Sequence, residues 1–414
     1  MAEWRTYTAP VRGTRRRYLA AAVAALCAGC STAPAAPPST AAPSGGTSST
    51  APSSTAPSGT AASSTAPSRT ALSGTAAPAP PSSEPPPATP TSGLTATASN
   101  TAPGSGELTL AFGGDIHFAG PLESRLDDPR SALAELRPYL ASADVAVVNL
   151  ETALTGRGSP APKSFHFRAP RSALTALADA GIDVASMANN HAVDYGARGL
   201  ADTLEARRTS PLPVVGIGED EQDALRPAVV QARGRRVAVL AATQVPEWTA
   251  ATWPARPGRP GVAVALRPER LADAVRRARR TADVVVVYLH WGTDYTGCPN
   301  PLQRRTARAL ARAGADVVVG THAHRVQGAG WLGRTYVGYG LGNFVWWRRN
   351  NEVEARSGVL TLTVRGRRVV GERWTPMRVS KDGIPRVTAK QESARLHRAW
   401  QRSRGCTGLE SAPS

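Results

Sequence analysis

The amino-acid sequence predicts an α/β fold for residues 107–385. Short apolar runs rich in β-branched residues alternate along this region with stretches of helical periodicity. Polar residues also follow several of the apolar runs directly, at the point where each predicted strand ends. The predicted strands are residues 108–112, 145–148, 182–186, 237–240, 284–289 and 317–319.

The predicted helices lie between these strands and after the last of them. They are residues 130–141, 171–180, 197–207, 268–281 and 301–313. Pro268 and Pro301 stand in the first turn of their helices, where a missing N–H is tolerated. Residues 340–379 are rich in strand-forming residues, and we expect them to form a second sheet packed on the first. Residues 386–414 form a C-terminal tail, for which we expect a helix.

The segments before residue 107 have the composition of a leader and a spacer. Residues 1–30 combine a basic region with an apolar run too short to cross a membrane, which is typical of an export signal. The run ends in Ala-Gly-Cys30, which resembles the lipobox of bacterial lipoproteins, so we expect lipid anchoring on the outer face of the cell membrane; cleavage and release is the alternative. Residues 31–106 are almost entirely Ser, Thr, Ala, Pro and Gly, and they are predicted to be a disordered spacer.

Charge and cysteine content narrow the class of partner. The chain carries a formal net charge of +18. A solvated arginine-rich surface explains this composition, and attraction to polyanions of the cell envelope is the functional alternative. We expect no nucleic-acid partner, because the sequence has no helix-turn-helix or zinc-finger spacing. An exported chain permits a disulfide between Cys298 and Cys406, which would tie the tail to the domain.

Nine polar residues follow the C-terminal ends of five predicted strands. In open α/β sheets that edge is where ligands bind, so we expect one functional site there. The nine are Asp115, Asn149, Glu151, Asn189, Asn190, His191, His290, His322 and His324.

Two pairs of side chains in this region have the spacing of a metal chelate. Asp115 and His117 are two residues apart, so both project to one side of an extended backbone. His322 and His324 repeat the arrangement after a β-branched run, and His290 ends another such run. A buried core histidine is the structural alternative for each residue. Taken together, the pairs favour ligands of a divalent metal.

The Asn190-His191 pair supplies two further functions. An Asn190 carbonyl oxygen is a suitable metal ligand beside His and Asp. His191 can hold or deliver a proton to a leaving oxygen, as a general acid or base. Asp194, three residues later, is a candidate to orient His191, with a helix cap as the alternative.

Glu151 is the candidate bridging carboxylate, because two neighbouring cations need a shared anionic ligand. Asn149 and Asn189 are candidates either for metal ligands or for residues that form the site loops. Lys163, Arg168 and Arg325 are candidates for binding an anionic substrate, with solvated loop charge as the alternative.

These motifs, in this order, are similar to those of the calcineurin-like metallophosphoesterase superfamily. They resemble most closely its branch of CapA-type poly-gamma-glutamate capsule synthesis proteins. The motifs that carry the resemblance are Gly114-Asp115, Asn149-Leu150-Glu151-Thr152, Asn189-Asn190-His191, His290-Trp291-Gly292, Gly320-Thr321-His322-Ala323-His324 and Leu341-Gly342-Asn343-Phe344.

The resemblance implies a four-layer α/β/β/α sandwich and two divalent metal ions, with Mn, Zn, Fe and Mg not distinguished. It implies one ion held by Asp115, His117 and His324, and a second held by three other residues. Those three are Asn190, His290 and His322. The sequence departs from the superfamily at the bridge, where Asn149-Leu150-Glu151 stands in place of a Gly-Asp motif. Asp294 also stands where the branch has Glu.

The resemblance also implies a role in the synthesis or export of poly-gamma-glutamate or a related anionic capsule polymer, together with membrane proteins of capsule synthesis. Two alternatives remain open at this point. One is a metal-dependent phosphoesterase that acts on phosphoesters of the envelope. The other is a surface module that binds a polymer without catalysis. The array of metal-ligand types argues against the second alternative, since simple binding does not need it.

Overall fold

The computed structural model describes residues 8–9, 106–348 and 351–414. The predicted export signal, Cys30 and the predicted spacer up to residue 105 lie outside the described residues, apart from residues 8–9. Among the helices of the described part, none has both the length and the apolar character needed to cross a membrane.

Strands and helices alternate through most of the described chain. The strands are β1 (Thr8–Ala9), β2 (Glu107–Ile116), β3 (Val145–Leu150), β4 (Ala153–Leu154), β5 (Arg168–Ala169), β6 (Val184–Ser186), β7 (Val214–Val215), β8 (Ile217–Gly218), β9 (Ala228–Ala232), β10 (Arg235–Thr243), β11 (Gly261–Val262), β12 (Val284–Trp291), β13 (Val317–His322), β14 (Ala329–Leu332), β15 (Thr335–Gly338), β16 (Asn343–Val345), β17 (Arg356–Arg365), β18 (Arg368–Val379) and β19 (Pro385–Val387). The α-helices are α1 (Arg137–Leu140), α2 (Ser172–Asp179), α3 (Gly196–Arg208), α4 (Glu221–Ala224), α5 (Trp248–Thr252), α6 (Glu269–Arg279), α7 (Pro301–Ala313) and α8 (Lys390–Ser403). Short 3-10 helices cover Gly120–Asp127, Ala134–Leu136 and Arg404–Cys406.

Most strands belong to two large sheets. Sheet I has the order β19-β18-β17-β2-β3-β6-β7, and β16 pairs with the end of β2. Sheet II has the order β1-β9-β10-β12-β13-β15-β14. The central strands of each sheet run parallel, as helix-connected strands do.

The two sheets pack face to face, because both faces of their central strands are apolar. In β3, Val145 and Val147 point into a core shared with sheet II, while Val148 points toward helix α2. In β12 the alternation repeats, with Val286 in the shared core and Val287 packed on the side of α6 and α7. The resulting layers are helix, sheet, sheet and helix, so the expected four-layer α/β/β/α sandwich is confirmed.

The C-terminal strands do not form a separate second sheet, and that expectation is wrong. Strand β17 pairs antiparallel with β2, placing Leu360 opposite Phe112. The β17–β18 hairpin therefore extends sheet I at the edge that β2 would otherwise expose. Strand β19 continues this sheet to Val387, two residues beyond the expected end of the domain at 385.

The helix predicted at residues 130–141 is also largely wrong. The α-helix α1 begins only at Arg137, so that Pro138 falls within its first turn. A helix starting at residue 130 would place Pro138 in its interior, where the ring clashes with the preceding turn and one hydrogen bond is lost. The chain before Arg137 forms turns and a 3-10 helix instead.

The C-terminal tail contains the expected helix, α8. Trp400 of this helix is buried and stacks on Trp374 of β18, with ring centroids 5.7 Å apart. Beyond α8, the sulfurs of Cys298 and Cys406 form a disulfide. The tail is thus attached to the domain both by apolar packing and by a covalent bond to the loop after β12.

Candidate metal centre

The predicted site residues meet where the carboxyl ends of strands from both sheets come together. Strands β2, β3 and β6 contribute from sheet I, and β12 and β13 contribute from sheet II. This is the edge at which parallel α/β sheets bind ligands. The buried side chains there are Asp115, His117, Asn149, Glu151, Asn189, Asn190, His191, His290 and His322, with His324 half-buried beside them.

Asn149 is the centre of a buried hydrogen-bond network. Its side-chain amide donates to Asp115 Oδ1 at 2.8 Å and lies 3.2 Å from His290 Nδ1. Its carbonyl oxygen accepts a hydrogen bond from the side chain of Asn189 at 3.1 Å. Because the polar atoms of Asn149 are engaged by protein groups, Asn149 and Asn189 fix the orientation of neighbouring side chains in this arrangement.

Glu151 is the most unusual residue of the site. Its side chain is completely buried, and neither carboxylate oxygen has a hydrogen-bond partner among the described residues. The nearest basic groups are His290 Nε2 at 3.5 Å and His191 Nε2 at 3.9 Å from Oε1. Burial raises the pKa of Glu151 to about 7. A buried carboxylate without partners is costly, so the chemistry of this position fits a bound cation.

The potential ligand atoms form two groups that share Glu151. Within each group the atoms lie within 4.8 Å of one another: Asp115, Glu151 and His290 form one, and Glu151, His322 and His324 form the other. The family resemblance implied another grouping, with Asn190, His290 and His322 around one ion, and the rings of His290 and His322 lie with their centroids 4.7 Å apart. A carboxylate common to two groups is the arrangement expected of a bridging ligand.

Asn190 and His117 lie at the margins of these groups. Asn190 Oδ1 is 2.9 Å from His290 Nε2, so it lies close to the first group. The ring of His117 stacks on Phe167 at 4.3 Å, and its Nδ1 accepts the backbone N–H of Ala119 at 3.1 Å. That bond places the proton of a neutral ring on Nε2, which has no hydrogen-bond partner among the described residues. His117 must therefore move this proton before Nε2 can bind a cation.

The backbone is strained at both histidines of the His322-Ala323-His324 motif. His322 has a φ of 87° and His324 a φ of 49°, in the left-handed region that non-glycine residues seldom adopt. Contacts hold both residues there: the N–H of His322 donates to Asp115 Oδ2 at 3.1 Å, and His324 Nδ1 lies 2.7 Å from Asn343 Oδ1. Strain maintained by such contacts is common at functional sites.

Two acidic residues at the opening of the site contact its ligand candidates. Asp294 Oδ1 lies 3.2 Å from His322 Nε2. Glu247 accepts a hydrogen bond from the side-chain amide of Asn190 at 2.8 Å, and it groups with Asp294 and His322. Sequence reasoning missed Glu247, although it follows the end of β10 and so carried the same positional signal as the predicted residues.

His191, Asp194 and Lys163 form a connected chain of charged and polar groups. His191 Nδ1 lies 2.6 Å from Asp194 Oδ2, and Lys163 Nζ lies 2.6 Å from Asp194 Oδ1. The backbone N–H of Phe167 also donates to Asp194 Oδ2 at 2.7 Å. Burial raises the pKa of Asp194 to about 6, against the opposing charge of Lys163. Burial lowers the pKa of His191, and Lys163 lowers it further.

The three basic residues expected to bind substrate lie in different surroundings. Lys163 lines the cleft, but its ammonium group is engaged by Asp194 and by the carbonyl oxygen of Asn190 at 2.7 Å. Arg168 is exposed and lies over the ring of Tyr195, 4.9 Å from its centroid. Arg325 lines a separate cavity.

The cleft above these residues has a volume of about 350 Å³. Asn190, His191 and His322 reach its surface, so the inner groups are open to a molecule in the cleft. Its rim carries the exposed aromatic side chains of Phe165 and Trp347. A cleft of this size admits a small molecule or a short stretch of a polymer chain.

The sequence is similar to a bacterial protein family and to proteins named for capsule biosynthesis. Residues 109–346 match the family described as bacterial capsule synthesis protein PGA_cap. The chain is 32% identical to the PGA biosynthesis protein CapA of Bacillus subtilis (strain 168), over 69% of this chain and 77% of that protein. It is 30% identical to the capsule biosynthesis protein CapA of Bacillus anthracis, over 70% of this chain and 72% of that protein.

A solved structure of a phosphatase from Mycoplasma pneumoniae is similar with 14% identity and a TM-score of 0.42, over 66% of this chain and 94% of that chain. The family match covers more than half of the sequence and includes nearly all of the site described above, from Asp115 to Asn343. The chain therefore belongs to the bacterial capsule synthesis protein PGA_cap family.

Proposed function

We propose that this protein is a metal-dependent hydrolase of the cell envelope that acts in the synthesis or export of poly-gamma-glutamate or a related anionic capsule polymer. The observation that carries the hydrolase part is Glu151, a fully buried carboxylate with no hydrogen-bond partner among the described residues, shared by two groups of potential ligands. The names of the Bacillus relatives support the capsule part.

Two divalent cations fit the donor set. Asp115 and His290 would hold one, His322 and His324 would hold the other, and Glu151 would bridge them. Asn190 and His117 are further ligand candidates at the margins, through Oδ1 and Nε2. Such cations, when bound, supply Lewis-acid polarisation of the attacked group and lower the pKa of water.

His191 is the candidate proton carrier. Its Nδ1 is held by Asp194, and Nε2 faces the interior of the site, 3.9 Å from Glu151 Oε1. With Nδ1 donating to an ionised Asp194, the neutral ring presents an acceptor at Nε2 and can take or return a proton there. Lys163 supports this arrangement, because its ammonium group favours the ionised carboxylate of Asp194.

Phosphoester hydrolysis is the second candidate reaction. It is favoured by a histidine held by a carboxylate beside paired cation positions, since both attacking and leaving oxygens of a phosphoester need stabilisation. A polymer-binding module without catalysis is less well supported, because binding alone does not account for a buried His–Asp–Lys chain.

The test is a substrate screen with the full chain loaded with Mn²⁺ or Zn²⁺. Shortening of poly-gamma-glutamate is followed by gel filtration, and phosphodiester cleavage by release of p-nitrophenol. We expect one of the two activities, lost in His322→Ala and His191→Ala but retained in His397→Ala, a histidine on α8 outside the cleft. Absence of both activities in the metal-loaded protein, or equal activity in all variants, would refute the proposed function.

Export and anchoring form a separate part of this proposal. We infer from the leader sequence that Cys30 becomes the lipid-modified N-terminal residue. Mass spectrometry of the protein isolated from its native membrane fraction tests this. A diacylated Cys30 is the expected result, and an unmodified N-terminus beyond residue 30 would exclude the anchor.

A further inference from the structure

A second cavity, of about 210 Å³, lies beside the C-terminal helix α8 and is separate from the metal cleft. Its polar lining includes Arg325 and Arg356, and its apolar lining includes Trp374 and Trp400. None of these residues lines the metal cleft.

The two arginines of this cavity, Arg325 and Arg356, are half-buried. The Nε atoms of Arg325 and Arg356 are buried and have no hydrogen-bond partner among the described residues. Within the same part of the chain, neither side chain forms an ion pair with a carboxylate. The rest of each guanidinium group is partly exposed, so an anion in the cavity could accept hydrogen bonds from both side chains and compensate their charge.

The neighbouring acidic residues are already engaged by other arginines. Glu392 pairs with Arg378 at 2.8 Å and with Arg395 at 2.7 Å, and Glu352 also pairs with Arg378. Arg356 therefore faces several positive charges and little compensating negative charge. Burial lowers its pKa, and Arg395 and Arg378 lower it further, against the single opposing effect of Glu392.

We propose that this cavity is a binding site for a small oxyanion, a carboxylate or a phosphate, held between the guanidinium groups of Arg325 and Arg356. Two guanidinium groups supply the forked donors that carboxylate and phosphate oxygens accept in charge-assisted hydrogen bonds. The Trp374 and Trp400 rings give the cavity an apolar wall, which suits an anion with a short aliphatic body, such as glutamate. The volume limits the ligand to one such unit.

The proposed anion site is linked to the candidate metal centre by residues that are adjacent in the chain or hydrogen-bonded to each other. Arg325 directly follows His324, and Ser357, which lines the cavity beside Arg356, donates to the carbonyl oxygen of Asn343 at 2.5 Å. The side chain of Asn343 in turn contacts His324. A bound anion would thus neutralise charge next to the strained segment that carries two ligand candidates.

Isothermal titration calorimetry of the full chain, with metal removed by a chelator, tests the proposal. Sodium phosphate and sodium glutamate are titrated separately at constant ionic strength, so that the two sources of the oxyanion are distinguished. We expect saturable binding of at least one of them, weakened about tenfold or more in Arg325→Gln and Arg356→Gln because each substitution removes a charge-assisted contact. Arg373→Gln, an exposed arginine on β18, is the matched control and is expected to bind as the wild type does.

Thermal unfolding of the same variants shows whether each variant is folded. Without added anion, Arg356→Gln is expected to unfold at the same temperature as the wild type or higher, because it removes an unpaired charge. Added phosphate or glutamate is expected to raise the unfolding temperature of the wild type and not that of the variant. Absence of saturable binding by both anions, or equal weakening by Arg373→Gln, would overturn the proposal.

Discussion

The Nδ1 atom of His191 lies 2.6 Å from Oδ2 of Asp194, and both side chains are buried. This contact determines which nitrogen of the imidazole is available in the cleft. With the carboxylate ionised, Nδ1 carries the proton and Nε2 remains an acceptor. In the proposed reaction, this pair would prepare His191 to accept a proton from a group in the cleft.

Asp194→Asn is expected to lower kcat strongly while changing KM little. The amide cannot stabilise the protonated imidazole, and it can hold the ring in the wrong tautomer. A general acid or base accelerates a reaction by about 10² to 10⁴, so its loss is expected to lower kcat by a factor of that order. Steady-state kinetics on whichever substrate the screen identifies measures the effect. Asp127→Asn, an exposed carboxylate near the start of the domain, is the control, and an equal loss in both variants would contradict the assigned role.

Lys163→Met is expected to lower the free energy of unfolding. It removes the cation from a fully buried carboxylate and leaves Asp194 with only its backbone and histidine contacts. Breaking a buried pair in this way costs about 3 kcal/mol. Urea denaturation measures this loss, with Lys381→Met on an exposed turn as the control. The loss is expected to be smaller when Lys163→Met is made in an Asp194→Asn background, and a strictly additive result would show that the two residues are not coupled.

The layered fold was largely predictable because hydrophobic periodicity is a local signal. The helix α7 was predicted with its observed bounds, since Pro301 at its start and Gly314 at its end are strong local signals. Sheet membership was not local. The β17–β18 hairpin joins β2 through pairing between residues more than two hundred positions apart, and no pattern within 340–379 specifies that edge.

The candidate site was predictable as a set of residue types at strand ends. Its internal contacts were not. The sharing of Glu151 between two ligand groups depends on the relative position of β3, β12 and β13, which only the packed sheets determine. Lys163 also could not be assigned from the sequence alone. There it was a candidate for binding an anionic substrate, whereas in the structure its ammonium group pairs with the buried carboxylate of Asp194.

The pH dependence of stability in the metal-free protein isolates the contribution of Glu151. Burial raises the pKa of its carboxyl from 4.5 to about 7, so the folded state favours the protonated form. Below the unfolded pKa of 4.5 the carboxyl is protonated in both states and has no destabilising effect. The destabilising effect grows as the pH rises from 4.5 to about 7. The Glu151→Gln variant has no ionisable group at this position. Between pH 4.5 and about 7, its free energy of unfolding is therefore expected to rise relative to that of the wild type, by on the order of 3 kcal/mol.

Urea denaturation of both chelated proteins at about pH 5 and about pH 8 measures that difference. The comparison with the variant cancels the opposite contribution of the buried histidines, whose lowered pKa values stabilise the fold as the pH rises. A difference independent of pH would show that Glu151 titrates normally.

Replacing both cysteines, as Cys298→Ala with Cys406→Ala, is expected to destabilise the domain. The bond joins residues 108 positions apart, and closing so long a loop restricts the unfolded chain. The expected loss is about 2–4 kcal/mol. Thermal unfolding with and without dithiothreitol measures it: the reductant is expected to lower the transition of the wild type and leave the variant unchanged. An unaffected wild type would contradict the disulfide.

Metal stoichiometry is the most direct test of the account. The chelated full chain is titrated with Mn²⁺, and bound metal is counted by inductively coupled plasma mass spectrometry after gel filtration. We predict about two equivalents for the wild type and for His397→Ala, and a loss of at least one equivalent in Glu151→Gln, because in the proposed site its carboxylate would be shared by both positions. A wild-type protein that binds no metal, or a Glu151→Gln variant that binds as much metal with the same affinity, would contradict the central claim.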